Sequence, residues 1–177
     1  GFSRDRASLI IMMLFLGMIF GSPAMGWLSD HLRRRKLPMI IGALLSLTMV
    51  LLIMYLPHMG LATLMILVFL YGFISGAQIV SYPLIAESNS KLLTGTSEGI
   101  ASVLIMSGGL LIPVFPWLLD LHWSHMMVHH LPFYSASDFR LAFMIMPVAA
   151  GSALLVSLLI KETGCVSYAE RQGNDRT

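Results

Sequence analysis

The 177-residue sequence predicts an all-α integral membrane protein with about five transmembrane helices. Apolar residues make up 56% of the chain and charged residues only 11%, whereas a soluble domain carries about a quarter charged residues. The mean hydropathy is +0.80. Five apolar stretches each have about the 20 residues that a helix needs to cross a bilayer. Because lipid leaves backbone polar groups without a water partner, each stretch is expected to be helical.

These stretches cover roughly residues 8–28, 37–56, 61–86, 97–119 and 139–160. The first is too long for a cleaved signal peptide and lacks a small-residue exit. We expect a membrane domain over residues 1–164 and a disordered cytoplasmic tail over residues 165–177.

Basic residues in the connections predict the orientation of the chain. Eight Lys and Arg residues fall on one side of the five stretches and three on the other. Four of the eight form one run, Arg33 to Lys36. The positive-inside rule places this side in the cytoplasm, with the amino terminus outside and the carboxyl terminus inside. Either the bacterial inner membrane or a eukaryotic cell or organelle membrane fits this pattern.

The basic run belongs to a motif, GWLSDHLRRRK at residues 26–36. It resembles the loop signature of the major facilitator superfamily, G-x-L-[AS]-D-[RK]-x-G-[RK]-[RK]-[RK], found between the second and third helices of each half of those transporters. His31 stands where a basic residue is usual, and Arg33 replaces the usual glycine of the turn. The matching residues are Gly26, Leu28, Ser29, Asp30, Arg34, Arg35 and Lys36.

Three further stretches are similar to the carboxyl-terminal half of that family. LYGFISGAQIVSYPLIAES (70–88) resembles the tenth helix, GTSEGIASVLIMSGGLLIPVFPWLLD (95–120) the eleventh, and SLLIKETG (157–164) the exit from the twelfth. The resemblance implies helices eight to twelve, which form part of a six-helix bundle in a fragment of a longer transporter. It implies alternating-access transport of a small polar or organic solute, with a first half and a seventh helix as partners.

Polarity differs among the stretches. The second and fifth have few polar residues, which is typical of helices that face lipid, whereas the third and fourth are polar and rich in Gly and Pro. Interrupted polar helices line cavities in transporters. Gln78 and Tyr82 are four residues apart and would share a helix face. With Ser81 and Ser107 they are the candidate solute-contacting residues. The alternative is that they form hydrogen bonds between helices.

Glycine and proline mark two other features. The pairs Gly17/Gly21 and Gly72/Gly76 have the spacing that allows close helix packing, although a moving gate needs the same smooth faces. In the fourth stretch, proline removes a helical hydrogen bond and permits bending. The candidate bending residues are Gly108, Gly109, Pro113 and Pro116.

Asp30 closes the first stretch and has a mechanical interpretation. Its carboxylate is placed to face the amino terminus of another helix, which carries partial positive charge. The resemblance implies that this helix belongs to the first half. Arg34 or Arg35 is then expected to bridge Asp30 to Glu87, at the end of the third stretch, and to release as the cytoplasmic side opens. The alternative is a solvated loop with no conformational role.

Several classes of function receive no support from the sequence. A net charge of +2 does not indicate nucleic acid binding, and no G-x-x-x-x-G-K loop indicates ATP drive. The segment DLHWSHMMVHH contains His122, His125, His129 and His130, but no Cys pair or H-E-x-x-H frame accompanies them. We therefore predict no enzyme activity, no catalytic residue, no cofactor and no metal, and interpret this segment as an ordinary external loop or a pH-responsive one.

Charged residues are absent from the middle of all five stretches. An intramembrane ionisable residue would be the default relay for protons or another coupling ion. Coupling would therefore depend on the helices of the first half, and facilitated diffusion is equally compatible. The rival hypothesis is a truncated, non-transporting membrane protein that binds a partner through its exposed helix seam.

Overall fold

The computed structural model describes residues 3–56, 59–121, 127–128, 131–132 and 134–167. Within these residues, five helical segments are long and apolar enough to cross a membrane. The predicted all-α class with five such helices is confirmed. The short antiparallel pair β1 (Met127–Val128) and β2 (Leu131–Pro132) lies in a connection and does not alter that class.

The first two spans are continuous helices. Helix α1 covers Arg4–Leu32 and α2 covers Lys36–Tyr55. The three residues between them, 33–35, form a turn that is described with the site below.

The third span is interrupted. Helix α3 (Leu61–Ser75) passes into a 3-10 segment (Gly76–Val80) and then into α4 (Ser81–Ser88). Pro83 has no backbone N–H, so the α-helical bond to the carbonyl of Ile79 cannot form. The tighter 3-10 segment includes Ile79 and ends at Val80, shortly before Pro83.

The last two spans are also built from shorter segments. The fourth comprises α5 (Thr94–Ser107), a 3-10 segment (Gly108–Leu111) and α6 (Val114–Leu121). The fifth comprises α7 (Ala136–Phe143) and α8 (Ile145–Leu159). The fifth begins with a capping box, in which the Ser135 hydroxyl accepts from the Asp138 N–H and the Asp138 carboxylate accepts from the Ser135 N–H.

Glycines set the closest helix contact of the fold, between α1 and the third span. A Cβ added at Gly21 would lie 2.0 Å from the carbonyl oxygen of Phe73, and one at Gly72 would lie 2.1 Å from that of Leu14. A Cβ added at Gly17 or Gly76 would likewise clash with backbone atoms of the facing helix. The Gly-x-x-x-Gly pairs therefore lie in a packed interface, and any role as a moving gate stays a prediction.

The remaining packing places α2 against α8 and leaves α5 least covered. A small buried cluster, Met25, Ala77 and Val80, lies where α1 meets the 3-10 segment of the third span. In contrast, no residue of α5 is buried, and Met106 is 80% exposed. The fold therefore has one firmly packed region, around α1, α2, the third span and α8.

Candidate functional site

The turn between α1 and α2 forms although Arg33 occupies the position at which the signature motif usually has glycine. Arg33 adopts a left-handed backbone with φ 50° and ψ 36°. The N–H of Arg33 donates to the carbonyl of Asp30 and that of Arg34 to the carbonyl of Ser29, both at 3.2 Å. These two bonds define a Schellman ending of the helix. The arginine side chain is thus held where glycine would be less strained.

Arg35 lies in the middle of the ion-pair network that follows this turn. Its side chain is only 9% exposed. Nε and Nη2 donate to Oε1 of Glu87 at 3.0 and 2.7 Å. Nη1 donates to Asp30 Oδ1 and, at 3.1 Å, to the hydroxyl of Ser29. We call Asp30, Arg35 and Glu87 the latch, after the conformational role expected from the sequence, which stays a prediction.

The two acids of the latch have different surroundings. The Glu87 side chain is 14% exposed, and its second oxygen accepts from the Thr163 hydroxyl. The Asp30 side chain is 68% exposed. Burial lowers the pKa of the Arg35 guanidinium, but its hydrogen bonds with Glu87 and Asp30 outweigh that effect and raise it. Of the two arginines that the sequence offered for this bridge, the structure places Arg35 between the acids and leaves Arg34 exposed.

Glu162, which sequence reasoning missed, joins the latch to the end of the fifth span. Its carboxylate accepts the backbone N–H groups of Arg35 at 2.8 Å and Lys36 at 2.9 Å, at the start of α2. It also accepts those of Thr163 and Gly164. Burial raises the pKa of Glu162, but these backbone hydrogen bonds outweigh burial and lower it.

A signal for this contact exists in the sequence, although it is weak. Helix α2 has no acidic residue in its first turn and no side-chain cap. The amino terminus of a helix favours a carboxylate. Glu162 follows the last apolar stretch directly, on the side of the membrane where α2 begins, and is therefore a candidate to supply that charge.

A cleft of about 350 Å³ runs beside the latch between α1 and the third span. Asp30 and Arg35 line it from one end, and Gly26 leaves its wall open because no atom lies within 4 Å of a Cβ built there. The remaining lining residues are Ser22, Pro23, Ile79, Val80 and Pro83. Gly26 and Asp30 of the signature motif therefore share one concave surface.

A second cavity, of about 390 Å³, lies among α2, the third span, α5 and α8. Its lining contains no Asp, Glu, Lys, Arg or His. Several of its hydroxyls are occupied: Ser75 donates to the carbonyl of Tyr71, and Ser81 to that of Gln78. Within the described residues, the Gln78 amide and the Tyr71 hydroxyl have no hydrogen-bond partner. The Ser46 hydroxyl, which also lines the cavity, has none among these residues either, so these three polar side chains remain available to a solute.

The expected pairing of Gln78 with Tyr82 does not survive the interruption of the third span. Gln78 lies in the 3-10 segment, where residues advance by about 120° instead of 100°, so a four-residue spacing no longer keeps one face. Gln78 and Ser81 line the cavity, and Tyr82 is not among its lining residues. Tyr71, which the sequence analysis did not single out, does line the cavity. Ser107 is exposed and donates to the carbonyl of Leu104.

The predicted bending residues coincide with the interruption of the fourth span. Gly108 and Gly109 begin its 3-10 segment, Pro113 lies in the turn that follows, and Pro116 lies in the first turn of α6. The interruption of the α-helix exists in this structure. Whether it changes during a working cycle stays a prediction.

The four histidines considered as metal ligands, His122, His125, His129 and His130, lie outside the described residues. Within the part of the chain that the structure describes, no group of three or more His, Cys, Asp or Glu residues could hold a metal ion. Residues 168–177 of the expected disordered tail are likewise outside the described part.

Comparison with protein families gives one finding. A sequence model of the Major Facilitator Superfamily matches residues 1–171, which is nearly the whole chain. Comparison with curated proteins and with solved structures returns no match. The match covers the latch, both cavities and all five helical spans.

Proposed function

The chain belongs to the Major Facilitator Superfamily, and we propose that it forms the carboxyl-terminal part of a secondary transporter that moves a small polar or organic solute by alternating access. Membership makes it a multi-pass membrane protein of a solute-transporter family rather than of an enzyme family. The finer elements of the proposal are the half, the latch, the solute-contacting residues and the orientation, with the amino terminus outside.

The buried Arg35 between Asp30 and Glu87 is the observation that carries this proposal. A buried cation between two carboxylates favours the arrangement in which both ion pairs are made, because separating it from a partner leaves a buried charge without compensation. Asp30 remains 68% exposed and opens onto the cleft beside α1. The Glu87 side of the latch is thus buried, and the Asp30 side is accessible. There the Asp30 carboxylate could contact the first turn of a helix from the other half.

Exposed apolar surface supports a missing partner for the fourth span. Three residues of α5, Val103, Leu104 and Met106, are between 66% and 80% exposed, and Leu110 in the following 3-10 segment is 77% exposed. Lipid can cover apolar side chains, but the same span carries the polar Thr94, Thr96 and Ser107. A helix with both kinds of surface is expected to contact protein as well as lipid.

Gln78 and Tyr71 are the proposed solute-contacting groups of this half. An amide offers both donors and acceptors, and a phenol offers one donor and an acceptor. With no charged residue in the lining, this wall suits a neutral hydrogen-bonding part of the solute. Coupling to protons or another ion then depends on residues supplied by the first half.

Uptake measurements test this function. The chain is expressed in cells either alone or together with the first half and seventh helix of its transporter, and uptake of labelled sugars, dipeptides and organic acids is followed. We expect uptake of one class by the pair, reduced in Asp30→Asn and in Gln78→Ala but retained in Glu98→Gln. Uptake by the chain alone, or no uptake of any class by a correctly folded pair, contradicts the proposal.

A further inference from the structure

Four basic side chains near the latch are not used by it. They lie where α1 ends, α2 begins and α8 ends, and we call them the basic patch: Arg33, Arg34, Lys36 and Lys161. Two contacts bring the ends of α2 and α8 together. The Lys36 N–H donates to Glu162 at 2.9 Å, and the Lys36 ammonium donates to the Leu158 carbonyl at 2.7 Å.

The carboxylates near this patch are already engaged. Both ion pairs found among the described residues belong to Arg35, with Asp30 and Glu87 as partners. Glu162 accepts four backbone N–H groups. Within the same part of the chain, no carboxylate lies within ion-pairing distance of the basic patch. Together with Arg35, its side chains exceed the nearby carboxylates of Asp30, Glu87 and Glu162 by two charges, so this surface is net positive.

Arg33 shows that a charge is held at this surface against the local backbone preference. Its left-handed φ of 50° suits glycine, and an arginine side chain there adds strain. The side chain is exposed and makes no hydrogen bond or ion pair among the described residues. The positive-inside rule alone does not require a charge at that one strained position, because neighbouring positions would serve equally.

Apolar surface on the two adjacent helices completes the feature. Leu37 and Ile41 in the first turns of α2 are exposed, as are Leu155 and Leu159 near the end of α8. Lysine and arginine at the ends of spanning helices reach the level of lipid headgroups. The basic patch therefore lies at headgroup level above side chains suited to contact acyl chains.

We propose that the basic patch is a binding site for an anionic phospholipid, with Arg33 and Arg34 contacting the headgroup and the exposed faces of α2 and α8 contacting its chains. Arginine forms bidentate contacts with phosphate, and basic clusters beside a spanning helix attract acidic lipids. Because the patch adjoins α2, whose first N–H groups bind Glu162, the bound headgroup lies at the same end of the bundle as the latch.

Lipid titration of the purified full chain tests this inference. Native mass spectrometry in mild detergent counts phosphatidylglycerol and phosphatidylcholine molecules retained by wild type and variants. Each basic residue near an anionic headgroup strengthens binding by about fivefold. We therefore expect a preference for phosphatidylglycerol that falls by about 5- to 25-fold in Arg33→Gln/Arg34→Gln. Arg33→Lys, which keeps the charge but not the bidentate geometry, should lose less of the preference than Arg33→Gln/Arg34→Gln.

Two controls separate this site from simpler effects. Lys91→Gln removes one charge from a different connection on the same side and should leave the preference unchanged. Circular dichroism checks folding, and Arg34→Gln alone, at an exposed residue, replaces the double variant if that one misfolds. An equal loss in Lys91→Gln, equal retention of both lipids by wild type, or displacement of phosphatidylglycerol by an excess of inorganic phosphate would overturn the inference.

Discussion

The unequal burial of the two latch acids leads to a quantitative prediction for their amide variants. Breaking a buried ion pair from one side costs about 3–5 kcal/mol, and an exposed pair contributes about 0–1 kcal/mol. Glu87 is 14% exposed and faces an Arg35 side chain that is 9% exposed, so it is close to the buried case. Asp30, at 68% exposed, is close to the exposed case.

Glu87→Gln keeps the shape of the side chain and one carbonyl acceptor, and Asp30 still partly compensates Arg35. We therefore expect a loss of about 2–3 kcal/mol, below the full buried-pair value. Asp30→Asn should cost no more than about 1 kcal/mol. For a chain of this size, the first loss corresponds to a drop in Tm of about 4–12 °C on the scale of soluble proteins.

Cys165 provides the assay. It is the single cysteine of the chain, lies next to the latch with Sγ 4.0 Å from the Ser29 carbonyl, and is half-buried. Burial raises the pKa of its thiol, so the thiol reacts slowly with a fluorogenic maleimide until the latch end unfolds. Glu98→Gln is the matched control, since Glu98 makes no ion pair among the described residues. Equal Tm shifts for Glu87→Gln and Asp30→Asn would refute the burial argument.

Three further predictions use the same thermal assay. Hydrogen bonds lower the pKa of Glu162 below its ordinary value of 4.5. The stability that its carboxylate contributes to the fold is therefore present above that pH and is lost as pH falls through the lowered pKa. Glu162→Gln should reduce the free energy of unfolding by about 1–2 kcal/mol at neutral pH and not at all once Glu162 of the wild type is protonated. A pH-independent difference would contradict this. Arg33→Gly should raise stability by up to about 1 kcal/mol, because it relieves the left-handed strain, and an unchanged or lower Tm would argue against strain. Gly21→Ala should lower the free energy of unfolding by about 1–3 kcal/mol, because its Cβ would lie 2.0 Å from the Phe73 carbonyl oxygen. Gly26→Ala is the control and should leave stability unchanged, because no atom lies within 4 Å of a Cβ there. Equal effects of the two substitutions would exclude close packing as the cause.

Local pattern was sufficient to predict the helical class and an arginine bridge between Asp30 and Glu87, whereas the conformational role of that bridge stays a prediction. Apolar length fixes the number of spans, because a bilayer requires about 20 residues of helix. The bridge between Asp30 and Glu87 was anticipated because charged residues at the same end of the bundle have few partners to choose from. The choice of Arg35 over Arg34 depends on the turn at Arg33, which directs one side chain inward and leaves the other exposed.

Features that depend on tertiary geometry were not predictable. The contact of Glu162 with Arg35 joins residues 127 positions apart and follows from the packing of α8 beside α2. The pairing of Gln78 with Tyr82 assumed an uninterrupted α-helix. The 3-10 segment before Pro83 changes the angle between Gln78 and Tyr82, and Tyr82 does not line the cavity. Tyr71, in α3 before the interruption, does line it.

Cys165 also gives the most direct test of the central claim, that the latch holds one end of a moving transporter closed. The measurement is the rate of Cys165 alkylation in membranes containing the whole transporter, with and without the solute identified by uptake. We predict that the solute changes this rate in wild type and that Glu87→Gln raises the rate in its absence, since the latch is then open. A rate that neither the solute nor Glu87→Gln alters, in a protein that still transports, would show that the latch is a static structural contact.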